Sequence, residues 1–308
     1  MDRQEIIRIE YSDGVRTVID ELTRLARSGA YVYRGYNRQD ELLPNIIRDR
    51  VNYVDVETEL LKDFERFGSH YFHANTPIDF MSYAQHFGLP TRLLDFTYNP
   101  FIALSFALHG PKSNATYKAP DDKDYYYIRF ASTEENILLH TIPVTDDIYN
   151  TRFTRTDSLA VKACHCIDSV TDLFGNNSLN RNAMSLLSSQ NPIHGIDDIK
   201  AVQSKINNRT ILFIDPNQSN QRIIMQQGLF MFPYTLQESE HLNILKTNSS
   251  VIMIHKDLRR DLLAYLDTLG FNAFRLMPDL VSICKAVTQK VKDERSEKNT
   301  AFKKRGAK

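Results

Sequence analysis

The residues best suited to chemistry lie close together in residues 85–108, QHFGLPTRLLDFTYNPFIALSFAL. Arg92 and Asp95 are ionisable groups inside a strongly apolar stretch, and such groups must be paired or must face a cleft. They are also the natural ion pair of this segment. Two interpretations follow: a structural salt bridge, or a turn that binds a ligand with the help of the neighbouring polar side chains, which are Thr91, Thr97 and Tyr98.

Two predicted helices must position these polar residues. Gly88 suits the left-handed position at the end of a helix, and Pro90 prevents that helix from continuing. Asn99 is a suitable N-cap for a second helix, with Pro100 at its first position. Residues 101–108 leave that helix almost no polar face, so we expect it to be buried.

A third candidate for chemistry is Arg34, within the run YVYRGY at residues 31–36. The aromatic and β-branched residues of this run predict a strand that ends near Gly35. Alternation along a strand gives Arg34 the same face as Val32 and Tyr36. Such an arginine is either an edge or surface residue, or it is aimed at a phosphate or carboxylate.

Two glutamines stand where a short helix within residues 218–232 gives way to a strand. Gln226 and Gln227 precede Gly228, which suits the end of the helix. Their amides either cap backbone groups or hydrogen-bond the amide or hydroxyl groups of a ligand.

The sequence gives little support for a metal site or for a nucleophilic triad. Cys164-His165-Cys166 has no second cysteine pair at zinc-site spacing, so we expect no metal site. A triad of His86, Asp95 and Ser105 is disfavoured because Ser105 sits within an apolar helix. The sequence also has no Walker A loop, no dinucleotide-binding glycine motif and no nucleophile elbow.

The composition is that of an ordinary globular protein. The chain has 308 residues, of which 42% are hydrophobic and 25% are charged. Its 38 basic and 38 acidic residues give a formal net charge of zero. The balance of charge does not indicate nucleic acid or an anionic membrane as a partner. No apolar run is long enough for a membrane span, and the three cysteines fit a reducing compartment. We therefore expect a cytoplasmic protein with no membrane partner.

Periodicity divides the chain into three parts. We expect an N-terminal helix within residues 1–29, an α+β domain over residues 30–290 and a charged tail over residues 291–308. Within the domain, residues 143–208 show no clear hydrophobic periodicity, and we expect them to form a helical or irregular insertion.

The chain resembles the FRG-domain family. The aromatic-Arg-Gly motif that gives this family its name is present as Tyr33-Arg34-Gly35, and the resemblance continues through residues 85–97 and Asn99-Pro100. It extends in pieces to about residue 280, through Asn220, Arg222, Gln226, Gln227, Gly228, Phe230 and Met277-Pro278-Asp279-Leu280. The resemblance suggests a bacterial, phage or mobile-element setting.

More distantly, the chain resembles the Arg-Ser-Glu class of mono-ADP-ribosyltransferases. Those proteins open with an aromatic-Arg-Gly strand, continue with a Ser-Thr-Ser strand and a helix, and end with a strand that bears a glutamate. Here Tyr33-Arg34-Gly35, Phe96-Thr97 with residues 103–106, and residues 226–230 follow in that order. The resemblance implies an α+β fold with a split, mostly antiparallel sheet, and NAD as the substrate.

The same resemblance implies roles for individual residues. Arg34 would bind the NAD diphosphate, Thr97 would support the nicotinamide ribose, and Gln226 or Gln227 would occupy the neighbourhood of the glutamate. A glutamine cannot supply the negative charge that stabilises an oxocarbenium-like transition state. Either Asp95 or another acid such as Glu238 replaces it, or the reaction differs, or the pocket binds a nucleotide without cleaving it.

These considerations lead to two hypotheses about function. The first is an ADP-ribosyltransferase or NAD glycohydrolase that acts in anti-phage defence or as a toxin, on NAD or a related nucleotide, with a protein or nucleic-acid acceptor. The alternative is a non-catalytic module that senses a nucleotide or a protein in a defence or mobile-element system. The expected catalytic residues are Arg34, Asp95, Thr97, Gln226 and Gln227, and the expected pocket residues are Tyr33, Arg34, Gly35, Gln85, His86, Arg92 and Tyr98.

Overall fold

The structure is a computed structural model in which the described residues are 4–48, 56–74, 76–109, 124–140, 158–175, 203–217 and 221–277, with a few helical positions after residue 282. Most of the predicted insertion at residues 143–208, the charged tail and most of the final helix lie outside the described residues.

The described strands form one mixed sheet. They are β1 (Ile6–Ile9), β2 (Tyr31–Tyr36), β3 (Leu94–Thr97), β4 (Tyr125–Ser132), β5 (Ile137–His140), β6 (Leu212–Asp215), β7 (Gly228–Met231) and β8 (Ser250–His255). Their order across the sheet is β1-β8-β4-β2-β3-β7-β6-β5. The outer pairs β1–β8 and β5–β6 are parallel, and the five other neighbouring pairs are antiparallel. The predicted α+β class with a mostly antiparallel sheet is confirmed.

Helices cover this sheet and connect its strands. The α-helices are α1 (Gly14–Ser28), α2 (Asn45–Arg48), α3 (Glu57–Gly68), α4 (Pro77–His86), α5 (Pro100–His109), α6 (Leu159–Gly175), α7 (Gln221–Gln226), α8 (Glu238–Thr247), α9 (Arg259–Leu269) and α10 (Ala273–Leu276). Short 3-10 helices are formed by Tyr11–Asp13, Gln39–Leu42 and Lys256–Leu258. None of the described helices is long and apolar enough to cross a membrane.

The sheet is nearly divided between β2 and β3. These two strands share a single residue pair, Tyr33 with Thr97, whereas β2 pairs with β4 along six residues and β3 pairs with β7 along four. After Tyr33 the neighbouring strands stop pairing, which leaves an opening beside Arg34 and Gly35. The sheet therefore consists of two four-stranded halves that meet at one point.

Strand alternation assigns the residues of β2 to two hydrophobic clusters. Tyr33 packs with α1, α5 and α9 in one cluster, and Val32 and Tyr36 belong to the other cluster, with α3, α4, α6 and α8. The predicted alternation along this strand is confirmed. Tyr33 is only 1% exposed, and this burial raises the pKa of its hydroxyl. The tyrosine ring is therefore part of the core.

Gly35 lets helix α5 lie directly on strand β2. A Cβ atom at this position would come within 1.7 Å of the Ala103 carbonyl oxygen and 2.9 Å of the Ala107 nitrogen. Both are main-chain atoms of α5, so neither can rotate away as a flexible side chain could. The glycine of the aromatic-Arg-Gly motif is thus required by helix–sheet packing.

Helices α4 and α5 begin and end as their sequences predict. The Asn99 side-chain oxygen accepts a hydrogen bond of 2.9 Å from the Phe101 nitrogen, which makes it the N-cap of α5. Gly88 follows α4 with φ +97°, in the left-handed region. Helix α5 is almost entirely buried, as its apolar sequence indicates.

The expected ion pair between Arg92 and Asp95 is wrong. The Arg92 guanidinium instead donates to the Glu57 carboxylate, through Nη2 at 2.5 Å and Nε at 3.0 Å, and through Nη1 to the Pro233 carbonyl at 3.2 Å. Arg92 and Glu57 are each 5% exposed. Residues three apart in an extended segment point to opposite faces, so Asp95 faces away from Arg92.

We expect Gly35→Ala to lower the free energy of unfolding by about 3 kcal/mol, because the new methyl group meets main-chain atoms of α5. Urea denaturation of the purified variant measures this. Gly68→Ala is the matched control, since its Cβ would meet only ordinary contacts of 3.5 Å or more with phenylalanine side chains. Equal losses in the two variants would show that the close approach at Gly35 is unimportant.

We expect Glu57→Gln to cost roughly 3–5 kcal/mol of stability, because it leaves the Arg92 cation buried without its counter-charge. Urea denaturation of the purified variant measures this loss of stability. Replacing both partners with apolar residues, Glu57→Leu with Arg92→Met, should recover most of this loss. The exposed Arg16–Asp20 pair is the control, and Asp20→Asn should change stability by less than about 1 kcal/mol. A similarly small effect of Glu57→Gln would contradict a stabilising role for the buried pair.

Candidate functional site

A cavity of about 390 Å³ lies at the opening between β2 and β3. This volume falls within the range of about 300–1,000 Å³ that is usual for small-molecule sites. Its wall is formed by β2, β3, α5 and α7, together with the 3-10 helix Gln39–Leu42, the end of α2 and Met277. We call this space the large cavity.

Three arginines from separate elements line the large cavity. Arg34 comes from β2, Arg48 from the end of α2 and Arg222 from α7. Two acidic residues, Glu41 and Asp95, also line it. The formal charge of these five side chains is therefore positive, which favours an anionic ligand.

The Arg34 guanidinium connects the two sides of the opening. Its Nη1 donates to the Asp95 carbonyl oxygen at 2.6 Å, and its Nε and Nη2 donate to the Glu41 carbonyl oxygen at 3.1 and 2.6 Å. Burial lowers the pKa of Arg34, and the nearby carboxylates of Asp95 and Glu41 act in the opposite direction. An arginine remains protonated in proteins, so the cavity wall carries a fixed positive charge.

The Asp95 carboxylate is held by a chain of polar side chains. Its Oδ1 accepts a hydrogen bond of 2.8 Å from Nε2 of Gln85, which lies at the end of α4. Oε1 of Gln85 in turn accepts from the Thr91 hydroxyl at 2.5 Å. This chain gives the carboxylate a defined orientation at the cavity.

Thr97 and Gln226 also lie on the large cavity, but their polar groups are engaged in internal contacts. The Thr97 hydroxyl donates to the Gln226 carbonyl at 2.7 Å and accepts from the Asn99 nitrogen at 3.1 Å. The Gln226 amide nitrogen donates to the Leu276 carbonyl at 2.8 Å, and its oxygen lies 3.4 Å from Nε of Arg222. This arrangement favours the interpretation that Gln226 binds backbone groups and holds α7 to α10.

A smaller cavity of about 30 Å³ lies beside the large one, and we call it the small cavity. The two share four residues of their walls, which are Asp95, Phe96, Arg222 and Gln226. Gln85 and His86, both expected in the pocket, line the small cavity. Nδ1 of His86 lies 3.5 Å from Nη1 of Arg222.

Three residues expected at the site lie elsewhere. Arg92 lines neither cavity and is engaged by Glu57. Gln227 has an exposed side chain and a φ of +45°, and its carbonyl accepts from the Tyr98 nitrogen. Tyr98 also lines neither cavity; its pKa is raised by partial burial and by Asp215.

The aromatic-Arg-Gly motif and the segment after α4 do meet at the site. Tyr33, Arg34 and Gly35 line the large cavity together with Asp95 and Thr97. Glu238, the other acid considered as a replacement for the glutamate, is exposed at the start of α8 and lines neither cavity. Asp95 is therefore the better positioned of the two acids.

Sequence reasoning assigned no role to Glu41, Arg48 and His109, which also line the large cavity. Glu41 and Arg48 belong to a connector without clear periodicity, and His109 ends an apolar helix. Arg222 belongs to the family pattern, which by itself gives it no role at the site. Arg222 lies four residues before Gln226, and residues at that spacing lie on the same face of a helix. This spacing could have placed Arg222 beside Gln226 from the sequence alone.

Among the described residues no group of three or more histidine, cysteine or acidic side chains is arranged to hold a metal ion. Cys164 and Cys166 lie on α6 and are partly buried. Burial raises the pKa of Cys166 to about 11, so its thiol is protonated near neutral pH. A protonated thiol is a poor metal ligand.

Comparison with known proteins supports one part of the sequence interpretation. Searches of curated proteins and of solved structures gave no match. Residues 29–116 match the family model of the FRG domain, a range that contains β2, Arg34, Asp95 and α5. The match thus covers the strand, the turn and the helix that build one side of the large cavity. Residues 29–116 of the chain are therefore an FRG domain.

Proposed function

We propose that the large cavity binds NAD or a related nucleotide and that the protein is an ADP-ribosyltransferase or NAD glycohydrolase. The observation that carries this proposal is the presence of Arg34, Arg48 and Arg222 on the wall of one cavity of ligand size. Guanidinium groups form charge-assisted, often bidentate, hydrogen bonds with phosphate oxygens. A dinucleotide offers two phosphates to such a group of cations.

Preorganisation of Arg34 supports binding of this kind. Its three hydrogen bonds to main-chain carbonyls fix the plane of the guanidinium before any ligand arrives. Because the Arg34 side chain is already ordered, it loses little conformational entropy when a ligand binds. Arg48 donates a hydrogen bond to the Asn45 side-chain oxygen within the same short helix.

The chemical step needs a negative charge near the ribose. When the bond between C1′ and the nicotinamide nitrogen breaks, its electron pair leaves with nicotinamide and the ribose becomes an oxocarbenium-like cation. Asp95 is the carboxylate best suited to stabilise that cation, because Gln85 orients it at the cavity. The Glu41 carboxylate accepts from the Asn37 and Arg38 nitrogens and so serves the local turn.

An enzyme of this type fits a role in anti-phage defence or as a toxin. Loss of cellular NAD, or modification of an essential acceptor, would stop growth of the host cell. The acceptor of the ADP-ribosyl group is a protein, a nucleic acid or water. The same cavity with binding but no turnover would make the protein a sensor of the nucleotide.

We expect Arg48→Ala to weaken NAD binding by roughly 10- to 100-fold, since a hydrogen bond to a charged group contributes about 1.5–3 kcal/mol. Calorimetric titration measures the affinity. Arg34→Ala should abolish binding, but it also removes the contacts across the opening, so its melting temperature must be measured in parallel. Arg16→Ala, at an exposed position on α1, removes the same charge and should leave affinity unchanged. Unchanged affinity in both Arg34→Ala and Arg48→Ala would rule out the large cavity as the site.

We expect Asp95→Asn to reduce nicotinamide release by about 100-fold or more with NAD affinity largely preserved, because the amide has no charge to stabilise the cation. Nicotinamide release from NAD is followed by chromatography. Wild-type protein that binds NAD without releasing nicotinamide would instead identify a sensing module. A variant as active as the wild type would assign the chemical step to another group.

A further inference from the structure

Thr91 is a buried threonine that lines neither cavity but is linked to Asp95, which lines both. Thr91 is 1% exposed, and its hydroxyl donates a hydrogen bond of 2.5 Å to Oε1 of Gln85. Nε2 of the same amide donates to Oδ1 of Asp95 at 2.8 Å. The Thr91 hydroxyl is therefore separated by one side chain from the carboxylate to which we assign the chemical step.

The orientation of the Gln85 amide is tied to the protonation state of Asp95. In the structure the NH2 group of Gln85 faces Asp95, which suits an ionised carboxylate because that group only accepts hydrogen bonds. If the amide were flipped, its oxygen would face the carboxyl group, and two acceptors would meet unless Asp95 carried a proton. The amide orientation thus selects between a charged and a neutral Asp95.

Thr91 selects the orientation of the amide because its hydroxyl hydrogen needs an acceptor. Within the part of the chain that the structure describes, Oε1 of Gln85 is the acceptor for this hydroxyl. A flipped amide would present its NH2 group to Thr91, and the hydroxyl hydrogen would then be buried without a partner. A buried donor without an acceptor is costly. The Thr91 hydroxyl therefore favours the orientation that keeps Asp95 charged.

We propose that Thr91 is a positioning residue of the NAD-cleaving site, whose hydroxyl holds the Gln85 amide so that Asp95 stays ionised to stabilise the cation on the ribose. This inference rests on the proposed function. Thr91 acts through Gln85 and does not touch the ligand, since it lines neither cavity. Gln85 holds Oδ1 of Asp95, so Oδ2 is the oxygen that can approach the ribose.

A change of the Thr91 side chain should spare the groups that bind the nucleotide. The Thr91 carbonyl accepts a hydrogen bond of 3.3 Å from the Ile46 nitrogen, which connects it to the helix that ends in Arg48. Arg34 is held by the Asp95 carbonyl. Both contacts use main-chain acceptors, which a side-chain substitution leaves in place. We therefore expect an effect on the chemical step and not on NAD affinity.

The first test is Thr91→Val, which replaces the hydroxyl with a methyl group of similar size. We expect kcat for nicotinamide release to fall by about tenfold or more while NAD affinity changes by less than about threefold. Thr91→Ser keeps the hydroxyl and should retain about half or more of the wild-type kcat. Melting temperatures establish which variants are folded, and Thr91→Ala replaces the valine variant if that protein is unfolded. Wild-type kcat in the folded variant without the hydroxyl, or an equal loss in Thr91→Ser, would overturn the inference.

Thr76→Val is the matched control. Thr76 is also a buried threonine, 2% exposed, and lines neither cavity. Its hydroxyl accepts from the Asp79 nitrogen at the opposite end of α4 from Gln85. Loss of this helix cap should lower the melting temperature and leave kcat unchanged. A fall in kcat as large as that of Thr91→Val would assign both effects to lost stability and would overturn the inference.

A double-mutant cycle separates positioning from a merely structural role. Once Asp95→Asn has removed the charge, Thr91→Val should change nicotinamide release by less than about twofold, because the hydroxyl acts through that charge. The full loss of about tenfold in the Asp95→Asn background would mean that the two residues act independently, and would overturn the inference.

A further measurement does not need NAD. The side-chain NH2 signals of Gln85 in a ¹H–¹⁵N NMR spectrum, identified by their absence in Gln85→Met, report the amide directly. Their exchange with solvent should be about fivefold or more faster in Thr91→Val than in the wild type and in Thr91→Ser, because the amide is no longer held in one orientation. Equal exchange rates would overturn the role of Thr91 and leave the NAD-cleaving site in place.

The results also separate this inference from the proposed function. A folded wild-type protein that neither binds NAD nor releases nicotinamide would overturn the proposed function and, with it, the part of Thr91 in catalysis. The exchange rates would still show whether Thr91 orients the Gln85 amide. Nicotinamide release that persists unchanged in folded Thr91→Val would instead overturn the inference alone.

Discussion

The structure around the site depends on how the chain satisfies main-chain groups where two neighbouring strands separate. After the pair Tyr33 with Thr97, β2 and β3 no longer exchange hydrogen bonds. Arg34 supplies hydrogen-bond donors there instead, since its guanidinium donates to the carbonyl oxygens of Asp95 and Glu41. Buried carbonyl groups left without donors would be costly. One side chain thus stabilises the opening in the sheet and supplies positive charge to it.

The opposite face of β2 imposes the second constraint. Helix α5 begins directly after β3 and returns across β2, where its main chain lies against Gly35. A side chain larger than hydrogen at that position would push the helix away and change the wall of the large cavity. The arginine and the glycine of the motif therefore act on opposite faces of one strand. The FRG match, at residues 29–116, contains β2, β3 and α5.

Arginines in this protein have different roles because different partners reach them. Arg92 meets the Glu57 carboxylate in the core, and the two charges balance each other. Arg34 donates to main-chain carbonyl oxygens and Arg48 donates to the Asn45 side-chain oxygen, so among the described residues neither has a buried carboxylate partner like that of Arg92. Residue type alone does not distinguish these cases, since each arginine lies in or beside an apolar segment.

Local patterns in the sequence determined most of the individual elements. The strand containing Arg34, the buried helix α5 with its cap at Asn99, and the polar connection between α4 and α5 all depend on contacts within a few residues, so periodicity and capping predict them. The family pattern also indicated Arg34, Asp95, Thr97 and Gln226, which lie on one cavity.

Only the tertiary structure decided which distant residues meet. Arg92 pairs with Glu57, which lies 35 positions away in the sequence. Strand β1, which the sequence did not predict, pairs with β8 near the other end of the described chain. Glu41 and Arg48 line the large cavity, beside residues of β2 and β3 that are far from them in sequence or in other elements. Such contacts are selected by packing and by the pairing of buried polar groups across the whole fold, and no local period in the sequence records them.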